Sequence, residues 1–166
     1  QEGGDALADV LLGKEVPGGK LTTTWARRYE DYPASEEYGY LNGNLEKEKY
    51  KEGIYVGYRY FETFFKEKAL FPFGYGLSYT NFDIEVLDFK SDKDKIMVEV
   101  RVTNIGDVAG KEVVELYANA PQGKLSKPVM SLVAFDKTIN LAPKESQKIT
   151  LEVPVYLLAS FDDTGA

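Results

Sequence analysis

The sequence contains no cysteine and no histidine among its 166 residues. The lack of cysteine excludes disulfide bonds and zinc sites built on thiolates. The two absences together exclude the Ser-His and Cys-His pairs of nucleophilic catalysis. Carboxylates, lysines and tyrosines are therefore the titrating side chains on which any catalysis inside the chain would depend, and no metal or cofactor is expected.

Positive charge is also in short supply, because 27 acidic residues outnumber 20 basic residues and the net charge is −7. Nucleic acids and anionic membranes attract basic surfaces, so neither is expected as a partner. No apolar run approaches the ~20 residues that cross a bilayer. The first five residues lack Met and have no signal-peptide pattern. We therefore expect the sequence to begin inside a longer gene product, from a cytoplasmic or a secreted protein.

The second half of the chain has the pattern of short strands. Apolar and polar residues alternate, and Gly, Pro and Asn mark turns between the segments 84–89, 96–102, 112–117, 130–135 and 149–153. This spacing predicts an antiparallel sandwich of the immunoglobulin or fibronectin type. The residues expected to face its core are Val98, Val100, Val102, Val114, Leu116, Leu132 and Leu151. Such a sandwich has about seven strands, so a closing strand could be missing.

The first half of the chain is organised differently. Residues 5–13 predict a short helix that is apolar around most of its girth, and such a helix is not stable alone in water. The following residues hold most of the aromatics, with 16 of 22 lying between Trp25 and Tyr79. Their periodicity is weak, but disordered segments are poor in aromatics. This region therefore predicts a long ordered linker that aromatic side chains hold in place.

Five blocks, in this order, resemble a known enzyme family. They are residues 4–13 with 17–21 (GDALADVLLG and PGGKL), 29–33 (YEDYP), 50–61 (YKEGIYVGYRYF), 71–80 (FPFGYGLSYT) and 102–117 (VTNIGDVAGKEVVELY). Together they resemble the C-terminal part of glycoside hydrolase family 3, of the β-glucosidase type. The resemblance covers essentially the whole chain, and the ordered set of blocks is far more specific than any one of them.

The resemblance implies a division of the chain and a function. Residues 1–24 would end an α/β sandwich domain, residues 25–81 would form an aromatic linker, and residues 82–166 would form a fibronectin type III-like domain. The chain would be the non-catalytic C-terminal portion of an enzyme that hydrolyses terminal β-D-glycosides with retention, and would serve domain docking and stability. Its expected partners are the remaining catalytic domains, a (β/α)8 barrel and an α/β sandwich.

The resemblance places no catalytic residue in this chain. In the family the nucleophile is an Asp of the barrel and the acid/base is a Glu of the sandwich domain, and no position here matches either motif. The chain alone is therefore expected to be inactive. The run 20–25 (KLTTTW) is nearer to a bacterial subgroup with a rearranged domain order, so a bacterial source is expected and the order of the parent's domains stays open.

The acids of the chain have simpler interpretations than catalysis. Glu2 lies in a Gly-rich turn before a helix, where a negative charge is favourable. Asp9 is expected to be a buried or capping carboxylate with a partner outside the chain. The loop 104–107 has the composition of a hairpin turn and needs no ion. Two adjacent acid pairs in polar loops are expected to point into solvent: Glu36 with Glu37, and Asp162 with Asp163.

The aromatic side chains leave two interpretations open. Trp25, Tyr38 and Tyr40 could stack on a sugar ring, which would suit a module that binds carbohydrate or protein. The other interpretation, which we favour, is packing between domains. The residues expected to provide that packing are Tyr55, Tyr58, Tyr60, Phe71, Phe73, Tyr75 and Tyr79. A polysaccharide binder exposes a row of aromatics on one sheet face, whereas the few aromatics of the β region lie mostly in strands whose core would take them.

Overall fold

The computed structural model describes residues 2–38, 43–44, 46–47 and 50–162. Two short helices precede most of the strands. The elements are α1 (Gly3–Leu11), β1 (Trp25–Ala26), α2 (Tyr58–Phe64), β2 (Ala69–Phe71), β3 (Phe82–Ser91), β4 (Lys95–Asn104), β5 (Val113–Ala118), β6 (Ser131–Lys137) and β7 (Ser146–Pro154), with 3-10 turns at Tyr29–Asp31, Lys66–Lys68 and Val155–Leu158. None of the helices in the described residues has the length and apolar character of a membrane span.

The long strands form a three-stranded antiparallel sheet in the order β3-β4-β7. Val102 of β4 lies opposite Ile84, and Val98 lies opposite Leu151 of β7. The alternation along β4 is complete, because Val98, Val100 and Val102 are buried while the residues between them are not. A second sheet joins β5 to β6. The predicted antiparallel sandwich is confirmed, and each predicted strand overlaps an observed one.

The core of the sandwich combines residues of both sheets. Five of the expected residues are buried in it, namely Val98, Val100, Val102, Val114 and Leu151, and Leu116 packs against them. Leu132 is only partly buried. The core also contains Leu141 and Ile149, which were not predicted. Leu141 lies in a loop, where it makes an isolated bridge with Gly110, so strand alternation could not identify it.

Helix α1 begins two residues earlier than predicted and ends at Leu11. Gly13 follows in the left-handed region at φ 71°. Its N–H donates to the carbonyl of Val10 at 3.0 Å, and the N–H of Lys14 donates to that of Asp9 at 2.8 Å. These two bonds are the Schellman arrangement, which satisfies the last carbonyls of a helix. The predicted stop at Gly13 therefore has the backbone geometry that glycine favours.

The contacts of the chain group it into two compact units. The sandwich unit contains residues 1–20, 76–116 and 132–159, and the aromatic unit contains residues 21–75, 117–131 and 160–166. In the aromatic unit, β1 and β2 pair antiparallel, with Trp25 opposite Phe71. The loop between β5 and β6 belongs to the aromatic unit. The division into 1–24, 25–81 and 82–166 that the family resemblance implies stays a prediction.

Helix α2 is the element that the weak periodicity of the linker concealed. It spans seven residues and follows Gly57, which has a φ of 59°. Tyr58, Phe61 and Phe64 recur at intervals of three, which places them close to one face of a helix. About two turns of helix give too short a pattern to stand out among the surrounding aromatics.

Candidate functional site: the aromatic unit

Phe61 is the buried centre of the aromatic unit. Its side chain is 1% exposed, the lowest value among the aromatic residues described. The ring of Tyr32 meets it edge-on at a centroid distance of 5.8 Å, and that of Tyr60 does so at 5.4 Å. Edge-to-face pairs of this kind stabilise by about 0.5–1.5 kcal/mol beyond the area they bury. Phe61 was not among the predicted packing residues, although its helical spacing from Tyr58 and Phe64 was the available signal.

Tyr32 connects this centre to the beginning of the unit. Its hydroxyl accepts a hydrogen bond from the N–H of Ala26 at 3.1 Å and donates to the carbonyl of Thr24 at 3.3 Å. The buried Thr24 in turn accepts, through Oγ1, the N–H of Phe73 at 3.2 Å. These hydrogen bonds give partners to the Tyr32 hydroxyl and to the buried Thr24, as burial of polar atoms requires. The contacts join residues 24–32 to the loop after β2.

Tyr58 packs on the third segment of the unit. Its ring lies 4.6 Å from that of Phe73 and 6.2 Å from that of Tyr117. Further along the β5–β6 loop, the N–H of Val129 donates to Thr63 Oγ1 at 3.1 Å. The hydroxyl of Tyr55 bonds with that of Ser126. Three stretches of sequence, around residues 24–32, 55–75 and 117–131, are therefore connected by rings and hydrogen bonds.

The predicted packing residues fall into two groups. Six of them lie in the aromatic unit and are partly buried there, namely Tyr55, Tyr58, Tyr60, Phe71, Phe73 and Tyr75. Tyr79 lies in the sandwich unit, where it is half-exposed and its hydroxyl donates to the carbonyl of Val10 at 2.9 Å. It therefore holds the end of α1. The role of the seven residues between domains stays a prediction.

A buried carboxylate lies at the first 3-10 turn of the aromatic unit. The side chain of Asp31 is 5% exposed and lies 3.6 Å from the cationic nitrogens of both Arg28 and Lys68. Lys68 also covers the face of the Phe65 ring at 4.3 Å. Charges that are buried need such partners, because unpaired burial is costly. The arrangement ties the turn at Tyr29–Asp31 to the turn at Lys66–Lys68.

Two of the three aromatic residues that could stack on a sugar ring are exposed. Trp25 and Tyr38 are both exposed, and Trp25 packs its ring edge-on against Phe71 at 6.3 Å. Tyr40 lies outside the described residues. No contact in the described part of the chain joins Trp25 to Tyr38, so a shared stacking platform is not built by the residues that the structure describes.

Several of the acids singled out in the sequence have partners nearby. Asp9 was expected to be a buried or capping carboxylate with a partner outside the chain. It is not buried, and it pairs with Lys14 at 3.2 Å. Glu37 pairs with Lys51, and Asp162 lies 3.5 Å from Lys124. Glu2 and Glu36 are exposed, and Asp163 lies outside the described residues.

The asparagine of the loop after β4 makes a hydrogen bond within the turn. Asn104 Oδ1 accepts the N–H of Gly106 at 3.0 Å, which is a turn contact. Among the described residues, no group of three or more acids is arranged to hold a metal ion. The interpretation of residues 104–107 as a hairpin turn is consistent with this geometry.

One groove of the sandwich unit has two carboxylates among its lining residues, Asp136 and Glu152. It has a volume of about 390 Å³ and is lined by residues 132–136 of β6 and 150–152 of β7. Glu152 pairs with Lys95 at 3.2 Å, and Asp136 accepts the N–H of Lys137 at 2.7 Å. A general acid needs a raised pKa. The carboxyl groups with a shifted pKa, Asp88 and Asp92, lie at the surface and are shifted downward by hydrogen bonds from Lys90 and from the N–H of Lys95.

The sequence matches two described families in separate segments. Residues 1–58 match the Glycosyl hydrolase family 3 C-terminal domain. Residues 112–166 match the Fibronectin type III-like domain. The first match contains the beginning of the aromatic unit through Tyr58, and the second contains β5, β6 and β7.

The relatives that cover almost the whole chain are much longer than it is. Beta-glucosidase A of Butyrivibrio fibrisolvens is 47% identical, with 99% of this chain and 21% of the relative aligned. The beta-glucosidase of Kluyveromyces marxianus is 45% identical, with 90% and 17% aligned. The structure of beta-glucosidase 3B from Thermotoga neapolitana in complex with glycerol superposes with a TM-score of 0.91 at 47% identity, over 98% of this chain and 23% of that one. The chain spans about a fifth of these proteins, which come from bacteria and a yeast alike.

Proposed function

Because the chain belongs to glycoside hydrolase family 3 and corresponds to the C-terminal region of its β-glucosidases, we propose that it is the docking part of a β-glycosidase. In this proposal the whole enzyme hydrolyses terminal β-D-glycosides with retention. The chain holds the fibronectin-like sandwich onto the catalytic domains, a (β/α)8 barrel and an α/β sandwich. The substrate binds in those domains.

The chemistry supports a non-catalytic part. Retaining glycosidases use two carboxylates about 5–5.5 Å apart, one as nucleophile and one as acid/base. The family resemblance places neither in this sequence. The acids that line the groove between β6 and β7 are engaged by Lys95 and by a backbone N–H. The bond-breaking step therefore belongs to the part of the enzyme outside these residues.

The observation that carries the docking role is the cluster around Phe61. It lies among three segments that are far apart in sequence, and side-chain contacts connect these segments in addition to the short β1–β2 ladder. A segment built in this way is rigid without being a domain core. Rigidity matters to an enzyme whose active site lies between domains, because displacement of a catalytic group by about 1 Å can cost about 100-fold in rate.

The test uses the full-length parent enzyme with Tyr58→Ala and Phe73→Ala. Both rings are partly buried and pack on each other, so each truncation should lower the melting temperature. The folded fraction should keep kcat and KM close to those of the parent. Parent-like melting with a strongly raised KM would contradict docking and would place these rings in a sugar-binding surface.

A binding module is the second candidate, and the exposure of Trp25 is the observation that favours it. The outer face of the β3-β4-β7 sheet argues against it, since that face is crossed by ion pairs rather than by aromatics. They join Glu85 to Arg101, Glu99 to Lys148 and Lys95 to Glu152.

The chain offers a direct test of this second candidate, because Trp25 is its one tryptophan. Titration of the chain with cello-oligosaccharides, followed by tryptophan fluorescence, reports stacking at this position alone. We expect no saturable change in emission. A saturable change in emission, together with glycan binding by isothermal titration calorimetry that Trp25→Phe abolishes, would establish a glycan site in the aromatic unit and would contradict a purely structural role.

A further inference from the structure

Four exposed apolar side chains lie in the segment before α2, on α2 itself and in the β5–β6 loop that contacts the helix. Ile54, Val56, Phe64 and Val129 are 50%, 55%, 49% and 39% exposed. Single exposed apolar residues are common on any protein surface and need no explanation. These four, however, come from two segments separated by more than sixty residues, and contacts within the aromatic unit bring the segments together.

The contacts that assemble them run through Tyr55 and Thr63. Ile54 and Val56 flank Tyr55, whose ring packs against that of Phe64 at 4.8 Å. Thr63 precedes Phe64 and accepts the N–H of Val129 at 3.1 Å through its hydroxyl. We call the four residues Ile54, Val56, Phe64 and Val129 the α2 patch.

Polar side chains next to the α2 patch already have partners within the aromatic unit. The hydroxyl of Tyr55 bonds with Ser126, and Glu62 of α2 pairs with Lys66 at 3.1 Å. The polar groups around the patch thus have partners within the aromatic unit, and the apolar side chains are what remains uncovered. An apolar patch with a polar rim on a preorganised support is typical of a protein–protein contact.

We propose that the α2 patch is the surface by which this region docks onto the catalytic domains of its own polypeptide. The inference rests on the proposed function and names the residues that make the contact. The catalytic domains are the partner that we infer for the patch, because about four fifths of the residues of the matching relatives lie outside the region aligned with this chain. Two of the predicted packing residues, Tyr55 and Tyr60, pack their rings against Phe64 of the patch at 4.8 and 5.8 Å.

The experiment measures thiol labelling in the full-length parent enzyme. The described region contains no cysteine, so Ile54→Cys, Phe64→Cys and Val129→Cys each introduce one reactive group into it. The matched control is Phe135→Cys, which lies on β6 of the sandwich unit and is 68% exposed. Labelling by a maleimide is followed over time by mass spectrometry of the peptide that carries each cysteine, so cysteines elsewhere in the parent do not interfere.

The patch cysteines should react about tenfold or more slowly than the control, because a covered thiol reacts only after local opening. All four should react equally in denaturant. Labelling of the patch as fast as the control, in a parent that melts normally, would overturn the proposal. Val129→Cys is a small change in a loop, so at least one variant should keep the parent fold.

Two other results would assign the patch to a different occupant and overturn the proposal. Protection that disappears on dilution, together with a dimer that dissociates in size-exclusion chromatography, would mean a second copy. Protection that appears only with added glucose would mean a sugar. Hydrolysis of β-glycosides by the unsubstituted parent is measured separately, so failure of the proposed function is distinguishable from failure of the patch.

Discussion

The side chain of Asn104 makes four hydrogen bonds. It is fully buried, and its Oδ1 accepts the hydroxyl of Thr80 at 2.7 Å and the N–H of Gly106. Its Nδ2 donates to the carbonyls of Val108 and Leu141 at 2.8 and 2.9 Å. An amide can make four such bonds, and all four are present. The residue fixes the turn after β4 to the entry of β3 and to the loop that carries Leu141.

Asn104→Ala should lower the free energy of unfolding of the chain by about 2–4 kcal/mol, because it removes four hydrogen bonds at a buried site and leaves the Thr80 hydroxyl without its acceptor. Urea unfolding followed by circular dichroism measures the change. The control is Asn140→Ala, which removes an exposed amide from the loop next to Leu141 and should change stability by less than about 0.5 kcal/mol. Equal effects of the two substitutions would show that the hydrogen bonds of Asn104 contribute little.

Phe61→Ala should be the most costly truncation of an aromatic residue in the chain. The ring is buried against Tyr32 and Tyr60, so its removal leaves a cavity and should cost about 3–5 kcal/mol. Phe64→Ala, three residues along the same helix, removes a ring that is half-exposed and should cost clearly less. Thermal unfolding of both variants measures the two losses of stability. Equal losses would mean that the burial of each ring does not determine its contribution to stability.

At the scale of elements, two turns approach each other so closely that only glycine fits. A Cβ on Gly76 would lie 2.5 Å from the carbonyl oxygen of Gly19 and 2.8 Å from the Lys20 side chain. Lys20 is itself held by an ion pair with Glu112 at 2.7 Å. The PGGKL segment and the segment before β3 are therefore packed backbone to backbone.

Gly76→Ala should destabilise the chain by about 1–3 kcal/mol, since a clash with backbone requires both turns to move. Gly123→Ala is the matched control, because nothing lies within 4 Å of the added methyl group there. That substitution should be neutral or slightly stabilising through loss of unfolded-state entropy. Differential scanning calorimetry measures both, and a stable Gly76→Ala variant would contradict the close approach.

The turn between β3 and β4 is closed by one carboxylate. Asp92 Oδ1 accepts the N–H groups of Lys95 and Asp94 at 2.9 and 2.8 Å, and these bonds lower its pKa from the ordinary value of 3.8. A carboxyl whose pKa is lowered by folding stabilises the folded state above its unfolded pKa, and this contribution is lost as the pH falls through its folded pKa.

Asp92→Asn keeps an acceptor in the turn but does not titrate. The variant should therefore be less stable than the parent at pH 7, and the difference should shrink as the pH falls below 3.8. Asp94→Asn removes a charge from the same turn without removing those two acceptor bonds, and serves as the control. Unfolding free energies between pH 2 and pH 7 test this. A difference that stays constant with pH would contradict the assigned cause.

The two halves of the chain differ in how far their elements could be predicted. Every second residue of strand β4 is buried from Val98 to Asn104, so its apolar pattern alone identified it. Helix α2 is stabilised by rings from other segments, such as Tyr32, and its own sequence carries only seven residues of pattern. Tertiary contacts decided its conformation, and a local pattern cannot report contacts with residues thirty or sixty positions away.

At the scale of the whole molecule, the family resemblance supports the proposed function, and the structure shows which aromatic residues are buried. The sequence identified the aromatic segment as ordered and important. It could not distinguish Phe61, which the unit buries, from Phe64, which the unit leaves half-exposed. Both are phenylalanines on one short helix, and their burial depends on where Tyr32 and the β5–β6 loop lie. Likewise, Asp9 was expected to pair outside the chain, and the turn after α1 brings Lys14 to it instead.

The most direct test of the central claim is hydrolysis of an aryl β-glucoside by the purified chain and by the full-length parent. The account predicts that the parent turns over the substrate, while the chain releases the aglycone no faster than buffer. Turnover by the chain that is abolished by Asp136→Asn or Glu152→Gln, the two acids that line the groove between β6 and β7, would contradict the account and place the catalytic pair inside these residues.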